Sequence, residues 1–442
     1  MKDLTSGNIN KNLLLYALPA LLSILLNRTY TTVDTIMIGQ IIGEYGLAAV
    51  GSTGGLITAL SSLFWGAGTG ISIYFGMLMS KKETDKLISS IKSNVFFTMI
   101  VAFIVSFFAI AFYKPIFSVL NVNQIIYKDA LLYYVTIIAS RIFLSANCII
   151  NDSFACFGNP SYALKMTAIS CFVNISLNFV FLKILPLGVF GVGLATFLAI
   201  LVNFIINMFS IRKLIRSLSP EKVKLKIVKS DVISAYKIAL PCMLQQLSMY
   251  VSSVAVQPIV NSFGNASTAA YDIALKIYDF CTICFFATSR GMSVFCTQCC
   301  GSGKTHLIKK GMLLTVWNTL MFSAPVIISI LVFPRFIASL FINDVYSTTA
   351  LLVVRYIVLC FPFIIFAVGN NYFHNFFRGV LKPIYALIST AIYTIARIIG
   401  TYLLYTNYKI DGVYYGFIIA WIVEFIICIS FFISKKWQKQ NA

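Results

Sequence analysis

The sequence predicts an all-α membrane protein with twelve transmembrane helices, and its composition is the first reason. Of its 442 residues, 59% are hydrophobic and 11% are charged, whereas a soluble chain carries about a quarter charged residues. Mean hydropathy is +0.88. Apolar runs of about twenty residues, the length needed to cross a bilayer, recur along the chain. Basic residues are concentrated in alternate loops, which is typical of a multi-pass membrane protein.

The predicted spans also give the orientation of the chain. Loops and tails on the side of the N terminus carry 22 Lys and Arg residues, and the opposite side carries five. The positive-inside rule therefore places both termini in the cytoplasm, and the net charge of +20 reflects topology rather than a surface for nucleic acid. The segment before the first span does not fit a cleavable signal peptide. The predicted spans are 12–39, 47–78, 94–113, 130–155, 161–182, 186–210, 238–260, 268–298, 312–340, 348–374, 384–405 and 411–433.

The two halves of the chain resemble each other. Three pairs of segments match at offsets of 222, 223 and 221 residues, so the spacing is kept over most of each half. A repeat of this kind predicts two six-helix bundles of the same orientation with a cleft at their interface. The pairs are YALPALLSILL at 16–26 with KIALPCMLQQL at 237–247, GNPSYALK at 158–165 with VLKPIYALI at 380–388, and LGVFGVG at 187–193 with IDGVYYG at 410–416.

A long basic segment, RKLIRSLSPEKVKLKIVKSD at 212–231, separates the two halves. We therefore expect an N-terminal bundle over 1–211, a basic cytoplasmic linker over 212–232 and a C-terminal bundle over 233–442. Transporters use such paired bundles to alternate access by moving one bundle against the other.

Asp34 is an acidic residue inside the first predicted span, within TYTTVDTIMIGQIIG at 29–43. At about 100° per residue, Asn27 and Tyr30 share its helix face. A carboxylate in a span is costly, faces the bundle interior and usually marks an ion or substrate pathway. We interpret Asp34 as a functional group that a proton or a bound cation neutralises. The alternative is a structural carboxylate that joins helices.

Asparagine pairs in the same half predict a polar pocket. Asn174 and Asn178 are four residues apart in the fifth span, and Asn147 and Asn151 have the same spacing in the fourth, so each pair shares a helix face. Thr196 adds a hydroxyl in the sixth span. Singly, each asparagine could simply join two helices with a hydrogen bond worth about 1 kcal/mol.

The second half carries a charged stripe in its eighth predicted span. Asp272, Lys276 and Asp279 are four and three residues apart, so they stack on one helix face and could either line the cleft or compensate one another. Arg397 lies at the repeat position of Asn174 and is expected to point into the corresponding region. Glu424 is a further ion in a span, and the sequence identifies no partner for it.

Other motifs do not predict an enzyme or a cofactor. GSGKT at 301–305 resembles the end of a phosphate-binding loop, but Gln298 stands where that motif needs glycine, and a span rather than a strand precedes it. His306 and His374 form no metal cluster. The eleven cysteines are typical of buried apolar positions rather than of zinc or redox sites. Active transport would therefore depend on an ion gradient.

Four segments resemble the multidrug and toxic compound extrusion (MATE) family of bacterial type. They are ALPALLSILLNRTYTTVDTIMIG, FACFGNP, VNISLNFVFL and LGVFGVGLAT, and the resemblance extends along nearly the full chain. It implies a V-shaped pair of six-helix bundles in the bacterial cytoplasmic membrane, acting as a monomer. It also implies antiport of hydrophobic, mostly cationic compounds against H⁺ or Na⁺, with no cofactor. Expected partners are small organic cations and the lipid bilayer, and not nucleic acid.

The resemblance assigns the family's cation site to Asp34, Asn151, Asn174 and Thr196. Where the family usually has a second carboxylate, this sequence has Asn178, which leaves one negative charge and keeps both Na⁺ and H⁺ open. The carboxylates that another branch uses on its seventh and tenth spans are missing. The residues expected to line the substrate cavity are Asn27, Tyr30, Asn147, Asp272, Asp279 and Arg397.

Two other functions stay open. A flippase of the same superfamily for lipid-linked oligosaccharide or polysaccharide would hold pyrophosphate with basic residues such as Arg28, Arg141 and Arg397. A membrane scaffold that transports nothing would need no carboxylate within a span.

Overall fold

The computed structural model describes residues 3–120, 122–219, 227–342, 344 and 346–438. These residues form helices joined by short turns, with no strand among them. Twelve helical segments in this part of the chain are long and apolar enough to cross a membrane. The predicted all-α, twelve-helix fold is therefore confirmed.

The α-helices follow one another with few residues between them, as expected for antiparallel neighbours in a bundle. A π-helical turn at Val180–Ile184 extends α6, and short 3₁₀ turns occupy Thr305–Leu307, Phe361–Phe363 and Lys436–Gln438. The helices are α1 (Ile9–Ile41), α2 (Glu44–Ser80), α3 (Thr84–Ala111), α4 (Tyr113–Val119), α5 (Tyr127–Cys156), α6 (Pro160–Phe179), α7 (Gly188–Leu218), α8 (Lys229–Ser262), α9 (Asn265–Gly301), α10 (Ile308–Val332), α11 (Pro334–Ser339), α12 (Thr348–Cys360), α13 (Ile364–Gly379), α14 (Pro383–Tyr408) and α15 (Ile410–Ile433).

Prolines account for two differences from the predicted spans. The ninth span was expected to reach residue 340, but α10 ends at Val332 and Pro334 begins the separate helix α11. The residue before a proline is disfavoured in the helical region, and Phe333 has φ −119° and ψ 50°. In the tenth span, Pro362 lies in the 3₁₀ turn that separates α12 from α13.

Packing groups the described residues into two compact units. The first contains residues 22–243, and the second contains residues 4–21 together with the chain from 244 onward. The division thus falls inside α1 and α8 rather than at the basic segment 212–232. Residues 220–226 of that segment lie outside the described residues, so its role as a cytoplasmic linker stays a prediction.

In the first unit, two glycines of α2 let α8 approach closely. A Cβ on Gly66 would lie 2.5 Å from the Cα of Met243, and one on Gly70 would lie 2.3 Å from the Cα of Ala239. Small residues four apart allow this kind of contact between helices in membranes. The N-terminal part of α8 is thereby fixed in the first unit.

Candidate functional site

The candidate site lies in the first unit, where Asp34 of α1 meets two amides of α6. Nδ2 of Asn178 donates a hydrogen bond to Oδ1 of Asp34 over 2.7 Å. The same nitrogen lies 3.2 Å from Oδ1 of Asn174. Both asparagines are only 1% exposed. The expected shared face of Asn174 and Asn178 therefore points at Asp34.

The amide of Asn174 has two orientations, and each suits a different charge on Asp34. In one, its nitrogen donates to Oγ1 of Thr196 over 3.2 Å and its oxygen lies 2.6 Å from Oδ1 of Asp34. Two oxygens at this separation need a hydrogen between them, so this orientation suits a protonated Asp34. After a 180° rotation, the nitrogen lies 2.6 and 3.2 Å from the two oxygens of Asp34, and the oxygen accepts from Thr196. That orientation suits the carboxylate.

The end of α6 fixes the position of this cluster. The π-helical turn begins directly after Phe179, one residue beyond Asn178, and π-helical turns occur frequently at functional sites. Gly188 then begins α7 with φ +59°, a conformation that favours glycine. The short connection brings Thr196 of α7 opposite Asn174 of α6, and so α1, α6 and α7 together supply the cluster.

Two predicted residues of α5 lie outside this hydrogen-bonded cluster. Asn147 donates to the backbone carbonyl of Ile200 over 3.0 Å and accepts from Nδ2 of Asn207 over 2.9 Å. It therefore joins α5 to α7, which was the alternative interpretation for an asparagine in a span. Oδ1 of Asn151 has no hydrogen-bond partner among the described residues, so its place in the coupling site stays a prediction.

The sequence analysis missed the polar ladder that continues from Asn147. Asn207 and Asn203, four residues apart in α7, are joined by a hydrogen bond of 3.0 Å. The hydroxyl of Tyr162 donates to Asn207 over 2.7 Å, and Asn203 donates to Ser170 over 2.9 Å. The spacing of four residues, the same signal that identified Asn174 and Asn178, was present in the sequence.

A buried arginine faces the Asp34 cluster from α5. Arg141 is 9% exposed and lies within electrostatic range of Tyr30 and Tyr133. Tyr133 is in turn within range of Asp34. Of the other α1 residues expected in the cavity, Tyr30 is half-buried and Asn27 is exposed.

In the second unit, Arg397 is held by side chains of three other helices. Its guanidinium donates to Ser252 over 2.9 Å and to the hydroxyl of Tyr271 over 2.7 Å, and it lies 3.8 Å from the ring centroid of Phe417. These contacts join α14 to α8, α9 and α15.

Of the charged stripe on α9, Asp272 is exposed and Asp279 is half-buried. That Asp272, Asp279 and Arg397 contact a substrate stays a prediction.

Comparison with known proteins agrees with the repeat and the fold. The MatE family model matches residues 19–180 and again residues 241–403, two matches that begin 222 residues apart. The probable multidrug resistance protein YoeA of Bacillus subtilis is 22% identical over 341 residues, which cover 76% of this chain and 74% of that protein. The FAD transporter of Shewanella oneidensis is 23% identical over 361 residues, covering 78% and 77%.

A solved structure shares the arrangement of the helices. It is described as the outward-facing conformation of a multidrug resistance MATE family transporter of the MOP superfamily. The TM-score is 0.90 at 17% identity, and 98% of each chain is covered. Because the MatE model matches most of the chain, and does so once in each half of a twelve-helix fold, this protein belongs to the MATE family of membrane transporters.

Proposed function

We propose that this transporter exports hydrophobic, mostly cationic compounds by antiport against an ion, with Asp34 as the coupling group. The hydrogen-bonded cluster of Asp34, Asn178, Asn174 and Thr196 carries this proposal. A carboxylate inside a span usually marks an ion or substrate pathway. Here every neighbour bonded to it is a neutral amide, so proton or cation uptake changes the charge of the whole cluster.

The geometry favours a proton as the coupling ion over Na⁺. The oxygen of Asn174 lies 2.6 Å from Oδ1 of Asp34 in one amide orientation, a separation that suits a shared hydrogen. A metal cation bridging two oxygens holds them farther apart. The single carboxylate also leaves any bound Na⁺ with one formal charge to balance it.

Proton uptake can drive a conformational change because it is coupled to burial. Placing a carboxylate in a low-polarity site costs several kcal/mol, and neutralising it removes that cost. A bias of this size can invert a two-state equilibrium. We infer that α1 transmits the change, because its residues 22–41 pack in the unit that contains Asp34, whereas residues 9–21 pack in the other.

Aromatic and acidic groups near the cluster support cationic substrates. The faces of Tyr30 and Tyr133 attract positive charge, and both side chains lie within electrostatic range of Asp34. We place the protein in the bacterial cytoplasmic membrane, as a monomer, with both termini in the cytoplasm.

Arg141 supports a second candidate with an anionic substrate. It is buried, and its Nε has no hydrogen-bond partner among the described residues, so it could pair with a phosphate. A flippase for lipid-linked oligosaccharide or polysaccharide, or a carrier of an anionic compound as the name of the Shewanella relative implies, would use such a group.

Transport in proteoliposomes distinguishes these functions. We expect a cationic dye to move against its gradient after a pH jump and to move much less after a sodium jump. Movement of lipid-linked oligosaccharide without movement of any organic cation would favour the flippase instead.

A further inference from the structure

The second unit encloses a cavity of about 430 Å³ between α8, α9, α13, α14 and α15. Its walls are largely aromatic. The rings of Tyr278 and Trp421 are stacked, with centroids 5.6 Å apart and planes 18° apart, and Phe285 and Tyr393 also line the cavity. Such walls bind a flat ring by stacking and attract a positive charge.

Two buried oxygens line this cavity without a hydrogen-bond partner among the described residues. They are Oε1 of Glu424 and Oδ1 of Asn370, on residues that are 5% and 3% exposed. Nδ2 of Asn370 donates to the backbone carbonyl of Trp421 over 3.0 Å, which fixes the amide and leaves its oxygen unused. Leaving a buried acceptor unpaired costs about 1–3 kcal/mol. A ligand that satisfies both oxygens has to donate hydrogens or carry positive charge.

His374 explains why the Glu424 oxygen is left over. Nε2 of His374 lies 3.1 Å from Oε1 of Glu424 and 3.1 Å from Oγ of Ser389. Ser389 donates its own hydrogen to the carbonyl of Ala386 over 3.0 Å, so it accepts from the imidazole. A single N–H group cannot serve both acceptors. Glu424 is therefore close to His374 but keeps an acceptor site for a ligand.

We propose that this cavity binds an aromatic organic cation at Glu424 and Asn370, and that a proton on the His374–Glu424 pair competes with that cation. With no proton on the pair, the imidazole is neutral and the site carries one negative charge. After proton uptake the pair is neutral overall, and an imidazolium or a protonated carboxyl faces the place that the cation would occupy. Because the two groups interact closely, the proton belongs to the pair rather than to either residue.

The other ionisable groups around the pair come from the neighbouring helices. Tyr278, Tyr393 and Cys428 lie within electrostatic range of Glu424. Asp279 lies within range of Tyr278, and Arg397 lies within range of Tyr393.

A polar chain also reaches the pair from the end of α13. Oγ1 of Thr390 lies 3.5 Å from Nε2 of His374 and accepts from Gln245, which in turn accepts from Arg378. Between pH 6 and 8, histidine is the side chain whose charge ordinarily changes. The His374–Glu424 pair is therefore the group that makes cation binding depend on pH in this range.

The site adds a location for the cation to the proposed function, but it can be tested separately from Asp34. Every variant is made in an Asp34→Asn background and purified as the full chain. Binding of ethidium, a planar dye whose positive charge is constant between pH 6 and 8, is followed by its fluorescence. We expect the affinity of the background protein to rise about tenfold from pH 6 to 8, as one proton leaves the pair.

Three substitutions test the assignment of residues. Glu424→Gln should lower the affinity at pH 8 at least tenfold, and His374→Gln should give the same affinity at pH 6 and 8. His306→Gln is the matched control, because His306 is the second of only two histidines in the chain and lies exposed after α9. It should keep the rise with pH.

The proposal is overturned if Glu424→Gln binds ethidium like the background protein, or if His374→Gln keeps the rise with pH. Asn370→Asp guards against a Glu424 variant that does not fold, because it adds a charge beside the cavity. It should tighten binding at pH 8 at least threefold, and unchanged or weaker binding would contradict the site. None of these results depends on ion-driven export through Asp34, so either proposal can fail alone.

Discussion

Asn178 in α6 donates a hydrogen bond to Asp34 in α1, with Nδ2 2.7 Å from Oδ1. By resemblance, this is the position where the MATE family usually carries a second carboxylate. An amide at this position donates to the carboxylate and adds no charge, whereas a second carboxylate would have to share a proton with Asp34. The site therefore holds a single negative charge, and we expect one charge to be taken up in each transport cycle.

Asp34→Asn should abolish ion-driven export while leaving the protein folded. The amide keeps the shape of the side chain but cannot exchange a proton, and it removes the cost of burying a charge. We expect thermal stability in detergent to stay equal or rise, and gradient-driven dye export to fall at least tenfold. Export measured in proteoliposomes with an imposed pH gradient checks this result.

Asp152→Asn is the matched control for the loss of a carboxylate within the same unit. Asp152 lies in α5, where its Oδ2 accepts a hydrogen bond of 3.3 Å from Thr69. This variant should retain export. If Asp34→Asn also exported dye at the rate of the unmodified protein, Asp34 would be a structural residue.

Asn178→Asp should increase the dependence of export on sodium. The substitution places a second carboxylate in contact with Asp34, and two carboxylates bind a metal cation far better than one carboxylate and an amide. Export by the variant after a sodium jump should exceed that of the unmodified protein several-fold. An unchanged response to sodium would argue that Asn178 only positions Asp34.

Asn174 should connect Thr196 to Asp34, and a double-mutant cycle can measure this connection. Asn174→Leu removes the amide that suits either charge state, and we expect export to fall about tenfold. Thr196→Val removes one hydrogen bond to that amide and should reduce export roughly threefold. Because Thr196 bonds to Asn174 rather than to Asp34, the double variant should be no worse than Asn174→Leu alone. Additive losses would show that Thr196 acts independently.

The Asp34 cluster could be predicted because its information is local or repeated. The spacing of four residues places Asn174 and Asn178 on one helix face, and the resemblance to MATE proteins connects that face with Asp34 and Thr196. The same spacing predicted a pocket for Asn147 and Asn151, but Asn147 instead joins helices. Spacing shows which side chains share a face and does not show what that face contacts.

The His374–Glu424 pair could not be predicted in this way. The two residues are 50 positions apart on α13 and α15, and no periodicity indicates which helices of a bundle are neighbours. Each residue alone was a lone histidine or an ion without a partner. Packing of the second unit brings Nε2 and Oε1 to 3.1 Å, and that contact depends on side chains from four helices.

Gly70→Ala should destabilise the first unit. The new Cβ would lie 2.3 Å from the Cα of Ala239, so α8 has to move, at a cost of about 1–3 kcal/mol. Gly55→Ala in the same helix is the control, because nothing lies within 4 Å of its added Cβ and alanine favours a helix by about 1 kcal/mol. Thermal melting in detergent should show a drop of several degrees for Gly70→Ala alone. Equal melting temperatures would mean that α2 and α8 do not pack this closely.

The basic segment 212–232 should lie in the cytoplasm together with both termini. This orientation follows from the 22 basic residues on one side of the predicted spans against five on the other, because positively charged loops are retained inside during insertion. A short epitope inserted after residue 222 should bind antibody only after the cells are permeabilised. An epitope placed between α4 and α5, in the loop at 122–126, should bind in intact cells. The reverse pattern would invert the topology and place Asp34, near the end of α1, in the inner half of the membrane rather than the outer.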